Sequence, residues 1–299
     1  RIQGFALSPY HDGQDAIAGE YPAEEQIDAD LALLGKRSRA VRTYTASGTI
    51  GKVPELAEAR RIKVALGAWI DARRSQNRAE VERVKRLAKR HENVIRVIVG
   101  NEVVLRNDIP LAELASHLDD VRRAVRQPVS TAEPWHVWLD HPELARHVDY
   151  LAVHMLPYWE GVAAEDAIRY IDDKVDLLKR AFPDKPIVLA EVGWPSNGRT
   201  RDAAVASEAN QAMFLRRFLQ HAEKKEYVYY LMEAFDQPWK AQSEGAVGAY
   251  WGVFDVYREA KFPFKAPIVR IPEWPTLAGI AIILAVLMMA LLYVDSRVP

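Results

Sequence analysis

Two glutamates stand at the ends of apolar segments, where they could carry out acid–base chemistry together. Glu102 closes the segment IRVIVGNE, and Glu191 lies within IVLAEVGWPSNG. Two carboxyl groups cleave a glycosidic bond when one donates a proton to the leaving oxygen and the other, ionised, attacks or stabilises the anomeric carbon. Their environments must therefore differ. Glu102, which follows Asn101 and an apolar strand, is the better candidate for the protonated member.

Aromatic residues are frequent near the ends of the predicted strands, close to these glutamates in the expected fold. Flat rings match the apolar faces of sugars, and loops at strand ends are common binding surfaces. Packing in the core is the alternative for each ring. Tyr158, Trp159 and Trp194 lie in loop-like sequence and are the stronger candidates for substrate contact. The full set is Tyr10, Tyr44, Trp69, Trp135, Trp138, Tyr158, Trp159, Trp194, Phe235, Trp239 and Trp251.

Eight short apolar or β-branched segments, separated by amphipathic stretches, must position these side chains. Strands that alternate with helices pair in parallel, and near-continuous apolar strands are buried on both faces. The sequence has no glycine-rich phosphate-binding motif after the first strand, which an open doubly wound sheet usually has. The pattern therefore predicts an α/β fold, a (β/α)8 TIM barrel. The helical stretches include Arg78–Arg90 and Ala203–Lys224. The predicted strands are Ile2–Ser8, Ala40–Thr45, Val64–Ile70, Ile95–Gly100, Val129–Ala132, Tyr150–Met155, Ile187–Val192 and Tyr227–Ala234.

The composition narrows the classes of function. The 299 residues include 40 Lys+Arg and 41 Asp+Glu, which leaves no basic face for nucleic acid. The absence of cysteine excludes disulfides, thiolate metal sites and a cysteine nucleophile. The histidines form no His-x-His pair and no His-Glu-x-x-His motif, and the loops after the last strands resemble no phosphate cradle. We therefore predict an enzyme that uses neither a metal nor another cofactor.

The two glutamate motifs resemble the paired signatures of glycoside hydrolase family 17, the β-1,3-glucanase family of (β/α)8 barrels. The resemblance is carried by VGNE at Val99–Glu102 and EVGWPSNG at Glu191–Gly198. It extends from SPY near the start through RTY at Arg42–Tyr44 to FDQPWK at Phe235–Lys240 and YWGVFD at Tyr250–Asp255. The chain departs from the plant pattern in its SPYHDG opening and in HMLPYW at His154–Trp159.

The resemblance implies roles for individual residues. Glu102 would be the acid/base and Glu191 the nucleophile of a retaining double displacement, with Asn101 bonded to the sugar 2-hydroxyl. The residues implied on the donor side are Tyr44, Tyr158, Trp194, Glu233 and Trp251. From composition, Trp135, Trp159 and Trp239 are expected on the acceptor side, and Phe235 is a further candidate substrate contact.

The resemblance also favours a function in carbohydrate metabolism. It suggests a bacterial, membrane-tethered β-1,3-glucan transglycosylase, a glucanosyltransferase that elongates or branches β-glucan beside a glucan synthase domain of the same longer chain. An endo-β-1,3-glucanase with the same catalytic pair is the nearest alternative. A non-catalytic glucan-binding module is another, although it leaves the glutamate pair without a purpose.

The C-terminal region reads as a membrane anchor. Residues 275–294 form an uncharged apolar run about 30 Å long as a helix, enough to cross a bilayer. We therefore predict a catalytic domain over residues 1–270 and a linker with a transmembrane helix over 271–299. Three basic residues precede the span and one follows it: Lys261, Lys265 and Arg270 before, and Arg297 after. This charge bias alone favours a barrel in the cytoplasm. Long folded regions, however, cross membranes largely regardless of their charge. We expect a bacterial inner-membrane protein with a periplasmic barrel, cut from a longer chain that does not begin at Arg1.

Overall fold

The computed structural model describes residues 2–264, 267–269, 271 and 273–295. The chain separates into two compact units, Arg1–Phe262 and Pro263–Pro299. The first unit ends before the domain boundary predicted at residue 270. Lys265, Arg270 and Arg297, three of the charges in the orientation argument, lie outside the described residues.

The first unit is a closed parallel barrel in which each strand pairs with the next and β8 pairs with β1. This confirms the predicted (β/α)8 fold. The predicted strands are all present, and β8 is shorter than expected because the chain leaves the sheet after Leu231. The strands are β1 Ile2–Ala6, β2 Ser38–Arg42, β3 Lys63–Ala68, β4 Val94–Asn101, β5 Val129–Pro134, β6 Leu151–Met155, β7 Ile187–Val192 and β8 Val228–Leu231.

Helices follow the strands and cover the outside of the barrel. In the long ones, apolar residues recur at helical spacing and face the sheet, as Val81, Val84 and Ala88 do in α3. The helices of this unit are α1 Glu24–Gly35, α2 Val53–Glu58, α3 Arg74–Arg90, α4 Leu111–Ala124, α5 Trp135–Asp140, α6 Ala167–Ala181, α7 Glu208–Lys225 and α8 Ala241–Glu244. Four 3-10 segments are Gly48–Lys52, Pro142–His147, Pro238–Lys240 and Ala246–Tyr250.

The interior of the barrel is filled mainly by small side chains. Alanines from five strands pack with a few larger residues, among them Tyr150 and Tyr230. Small residues allow the eight strands to close tightly, so the interior of the barrel is a packed core and not a channel. The polar side chains that could do chemistry lie at the carboxyl ends of the strands, above this core.

The second unit contains one helix, α9, over Trp274–Asp295. Its segment Trp274–Tyr293 has a mean hydropathy of 2.5, and none of it is buried. A helix of 20 apolar residues matches the thickness of a bilayer core. The predicted apolar helix is therefore present, and its length and composition suit a membrane span.

Candidate active site

Glu102 directly follows β4 in a conformation that few non-glycine residues adopt. Its φ is +56°, and Gly100 two residues earlier has φ +88°. The left-handed conformation costs an ordinary residue about 1–2 kcal/mol, and such strain is typical of functional positions. The backbone N–H of Glu102 donates to the carbonyl of Ala132 at 2.7 Å, which ties the turn to β5. The turn directs the chain sharply out of the sheet at the residue predicted to be the acid/base.

Glu133 in β5 holds the turn that carries Glu102. Its buried carboxylate accepts the backbone N–H groups of Val104 at 2.8 Å and Leu105 at 3.3 Å. Burial raises the pKa of Glu133 to about 7, although the two backbone bonds and the nearby His154 act in the opposite direction. The residue thus positions the acid/base loop from the neighbouring strand.

Glu191 lies inside β7 and is almost fully buried, at 4% exposure. Its Oε1 accepts two hydrogen bonds of 2.7 Å, from a guanidinium nitrogen of Arg42 and from the hydroxyl of Tyr44. Burial alone would raise the pKa of Glu191, but the charges of His154 and Arg42 and the Tyr44 hydroxyl lower it by more, so the pKa lies below its usual value. Glu191 is therefore held ionised, as an attacking carboxylate must be.

Tyr44 contributes to that ionised state, and its hydroxyl can be removed alone. In Tyr44→Phe, Glu191 loses one of two hydrogen bonds, each worth about 1.5–3 kcal/mol to a charged acceptor. We expect kcat/KM to fall about tenfold or more. The pKa of Glu191 should rise, so the acidic limb of the pH–rate profile should move to higher pH. Tyr257→Phe, at a tyrosine that is 74% exposed, is the control. An unshifted acidic limb in Tyr44→Phe would contradict this role.

Arg42 joins the two functional strand ends. Besides Glu191, its guanidinium donates to Oδ1 of Asn101, the residue before Glu102. The same guanidinium lies 4.1 Å from the centre of the Tyr44 ring. Arg42 is fully buried, so its charge is compensated by the carboxylate and the ring instead of water. This single side chain sets the relative positions of Asn101, Glu191 and Tyr44.

His154 in β6 lies between the two glutamates. The strand register places His154 opposite Glu191, and its ring is buried. Nδ1 is 2.7 Å from Oε1 of Glu102, and Nε2 is 3.5 Å from Oε1 of Glu191. One oxygen or nitrogen atom from each of the three side chains lies within 4.8 Å of the others. The predicted catalytic pair is thus brought together, with an imidazole between its members. The absence of a metal or cofactor from the reaction stays a prediction.

A buried ion pair lies beside this cluster. Nζ of Lys240 is 2.6 Å from Oε1 of Glu233, and both side chains are almost inaccessible to water. Burial raises the pKa of Glu233 to about 7, and the charge of Lys240 limits the rise. Lys240 also contributes to lowering the pKa of Glu191. The pair thus extends the electrostatic network of the site to the loop after β8.

Removal of Lys240 should therefore destabilise the barrel in a pH-dependent way. The pKa of Glu233 is higher in the folded state than in the unfolded chain, so Glu233 favours folding at low pH and loses that contribution as pH rises through about 7. Without the lysine its pKa rises further. For Lys240→Met we expect a loss of about 3–5 kcal/mol at pH 8 and a smaller loss at pH 5.5. Urea denaturation measures both, with the exposed Lys89→Met as control; equal losses at the two pH values would contradict the assignment.

The structure divides the predicted aromatic contacts into two groups. The half-buried rings, which solvent can reach, are Tyr44, Trp69, Trp135, Trp159 and Trp239. The rings buried to 1% exposure or less are Tyr158, Trp194, Phe235 and Trp251. Their direct contact with sugar stays a prediction, as does that of the buried Glu233, and their burial favours the packing alternative. Trp138 is likewise in the core.

The buried rings support the half-buried ones. Tyr158 contacts Trp159, Trp194 and Trp251 edge to face, with ring centres 5.3–5.9 Å apart. Its hydroxyl donates to the carbonyl of Arg199, and Trp194 donates through Nε1 to Val205. These contacts join the loops that follow the last three strands. Their role in the described structure is to fix the shape of this part of the rim.

Four polar residues of the site were not given a role by the sequence: Arg42, Glu133, His154 and Lys240. Two of them had a local signal. His154 interrupts an otherwise apolar strand, LAVHM, and Arg42 follows the apolar Ala40 and Val41 in β2; a buried imidazole or charge in a strand needs a partner. Identifying that partner requires the register between strands, which a single sequence does not show.

A (β/α)8 barrel that holds two carboxyl groups this close, at the ends of strands β4 and β7, defines a class of enzyme, the glycoside hydrolases. The chain belongs to the BtgE/BtgC glycoside hydrolase domain family, whose model matches residues 4–252. The chain is also similar to a solved structure of glycoside hydrolase family 17, which confirms the family that its two glutamate motifs resemble.

Several relatives are fungal proteins. A glucan 1,3-beta-glucosidase of Arthroderma benhamiae is 28% identical over 279 residues, covering 87% of this chain and 89% of the relative. A probable glucan endo-1,3-beta-glucosidase, btgC, of Aspergillus oryzae is 27% identical over 284 residues. The alignment with btgC covers 82% of this chain but only 40% of the length of btgC.

Among solved structures, the family 17 β-1,3-glucanosyltransferase of Rhizomucor miehei superposes with a TM-score of 0.76 at 27% identity. The superposition covers 87% of this chain and 95% of that protein. An active-site mutant of the same enzyme, in complex with laminaritriose, gives a TM-score of 0.77 at 26% identity.

Proposed function

We propose that the protein is a retaining glucanosyltransferase that acts on β-1,3-glucan. The observation that carries this proposal is the short distance between the two carboxyl groups: an oxygen of Glu102 and an oxygen of Glu191 lie within 4.8 Å of each other. Retaining enzymes place their carboxyl groups about 5–5.5 Å apart, whereas inverting enzymes leave about 6.5–9.5 Å for a water molecule. The names of the fungal relatives support β-1,3-glucan as the substrate.

In the first step, the ionised Glu191 attacks the anomeric carbon of the donor glucan. The bond from that carbon to the glycosidic oxygen breaks, and Glu102 donates a proton to this oxygen as the shortened chain leaves. In the second step, Glu102 takes a proton from an acceptor hydroxyl, which displaces Glu191. The two displacements together retain the β configuration.

The orientation of Asn101 suits the predicted bond to the 2-hydroxyl. Arg42 donates to Oδ1 of this amide, which leaves its nitrogen as the end that can donate to a sugar oxygen. Hydrogen bonds to the 2-hydroxyl strengthen in the transition state of glycoside cleavage. Asn101 would thus stabilise the transition state more than the bound substrate, as catalysis requires.

Transfer and hydrolysis differ only in the molecule that attacks the glycosyl-enzyme after the first glucan has left: a sugar hydroxyl in transfer, and water in hydrolysis. The half-buried Trp159 and Trp239 support transfer, because a sugar acceptor would gain ring contacts there that water does not need. Trp135 gives less support, because Nζ of Lys174 lies 4.0 Å from the centre of its ring. The relative of known structure is named a glucanosyltransferase, which favours the same choice. An endo-β-1,3-glucanase with the same catalytic pair is the second candidate, favoured by the name of the btgC relative.

Incubation of the full chain, purified in detergent, with linear β-1,3-gluco-oligosaccharides of one length distinguishes the two. Mass spectrometry gives the sizes of the products, and NMR gives their linkage. Products longer than the substrate support transfer, and a new 1,6 linkage among them indicates branching. Only shorter products would replace our proposal by the glucanase. No reaction in the wild type, when the Glu191→Gln variant is equally inert, would favour a binding module.

The setting of the barrel is also a proposal. The helix α9 supports attachment to a membrane. The sequence resemblance supports a bacterial inner membrane, a barrel in the periplasm and a glucan synthase domain in the same longer chain. A barrel placed beside such a synthase would meet its substrate as the glucan is exported. Protease digestion of intact spheroplasts tests the orientation, because a periplasmic barrel is cleaved and a cytoplasmic one is protected.

A further inference from the structure

The imidazole of His154 is placed between the acid/base and the nucleophile, where no simple packing role requires a polar ring. It comes from the next-to-last residue of β6 and is 3% exposed. Its Nδ1 lies at hydrogen-bond distance, 2.7 Å, from Glu102, and its Nε2 faces Glu191 at 3.5 Å. The ring therefore lies close to both the acid/base and the nucleophile of the proposed retaining reaction.

The hydrogen bond between His154 and Glu102 must contain a proton that belongs to one of the two. Nε2 makes no hydrogen bond in the described structure, but it lies 3.5 Å from the ionised carboxylate of Glu191, whose negative charge favours a hydrogen on this nitrogen. Nδ1 can then either accept a proton from the carboxylic acid of Glu102 or donate its own to the carboxylate. Both arrangements contain the same number of protons and differ only in where the shared proton lies.

We propose that His154 is a positioning residue that shares the acid/base proton with Glu102. This inference rests on the proposed retaining mechanism. In the first step, the proton leaves Nδ1 through Glu102 and reaches the glycosidic oxygen, while the electron pair of the broken bond goes to that oxygen. In the second step, the proton of the acceptor hydroxyl passes through Glu102 back to Nδ1. Nε2–H remains directed at Glu191 throughout, so the ring needs no tautomer exchange.

Acidic groups surround the ring, and one cation opposes them. Glu102 and Glu191 face the two nitrogens, and Glu133 from β5 acts on the ring as a third acidic neighbour. Arg42 is the opposing charge, and it is hydrogen-bonded to Glu191. The 2.7 Å distance to Glu102 makes this carboxyl group the one with which the ring can share a proton.

The variant His154→Asn tests this with two donors in the full chain. A β-1,3-gluco-oligosaccharide needs a proton on its leaving oxygen, whereas 2,4-dinitrophenyl β-laminaribioside has a leaving group that needs none. We expect kcat/KM for the oligosaccharide to fall about 100-fold. For the aryl donor kcat/KM should change less than threefold. His141→Asn, at a side chain that is 43% exposed, is the control.

A loss of equal size with both donors would overturn the proposal and leave His154 a structural residue. If the wild type processes neither donor, the proposed function itself fails, so the two failures are distinguishable. A measurement on the unaltered protein does not depend on folding of the variant. With histidines labelled with ¹⁵N, NMR should show the neutral ring of His154 as the tautomer with its hydrogen on Nε2. The opposite tautomer would also overturn the proposal.

Discussion

Replacing Glu191 by glutamine is expected to lower kcat on β-1,3-gluco-oligosaccharides at least about 10⁴-fold, the scale seen when a nucleophile is removed. The amide keeps the shape of the side chain but has no charge to attack the anomeric carbon. It also places an NH₂ group or a neutral oxygen against the donors of Arg42 and Tyr44, which now hold a carboxylate. Product formation measured by mass spectrometry gives the rate.

A second variant separates loss of the nucleophile from loss of the fold. Glu191→Gly opens space beneath the anomeric carbon, so α-laminaribiosyl fluoride should bind in place of the glycosyl-enzyme. An acceptor sugar activated by Glu102 would then displace fluoride and give a β-linked product. Glu143→Gln, at a side chain that is 51% exposed, should match the wild type in both assays. A Glu191→Gln variant with near-normal turnover would remove our mechanism.

Replacing Glu102 by alanine is expected to have an effect that depends on the leaving group. With oligosaccharides, which need protonation, kcat/KM should fall about 10²–10⁴-fold. With 2,4-dinitrophenyl β-laminaribioside the first step should stay close to the wild-type rate. The second step lacks its base, so the glycosyl-enzyme should accumulate and give a burst of dinitrophenol. Rapid-mixing absorbance measures the burst, and intact-protein mass spectrometry detects the adduct on Glu191.

Azide provides the complementary measurement for Glu102→Ala. As an anion it needs no base, and it can enter the space that the carboxylate vacates. We expect added azide to restore turnover of the aryl donor and to produce a glycosyl azide of β configuration. Glu143→Ala should show neither the burst nor the azide effect. An α-azide would mean that the reaction inverts configuration, and no effect of azide would move the acid/base role to another residue.

These variants together test whether the site acts as one electrostatic unit. Glu191 depends on Arg42, Tyr44 and His154 for its ionised form. Since these groups interact directly, the effects of their single variants should not add. The double variant Tyr44→Phe with His154→Asn is therefore more informative than either variant alone about how the ionised nucleophile is maintained.

The overall fold could be predicted from the sequence because each of its causes is local. Apolar strands separated by amphipathic helices define a parallel sheet that needs cover on both faces, and eight such units close into a barrel. The strand bounds differ from prediction by only a few residues. The C-terminal helix follows from one uncharged apolar run. The glutamates could be found because they end apolar strands, within motifs whose spacing resembles a known family.

The set of side chains around the glutamates was decided only by the tertiary structure. Arg42, Glu133 and His154 come from three strands, and their contacts depend on barrel closure and on the register between neighbouring strands, including the bulge at His154. The burial of the aromatic residues was likewise not predictable from the sequence. Sequence placed them correctly at the strand ends, but whether a ring such as Trp159 is half-buried or, like Trp251, fully buried depends on how distant loops pack over it. Residue type and spacing thus determined the barrel, the helix and the predicted catalytic pair, whereas burial and charge balance arise from contacts between residues far apart in the chain.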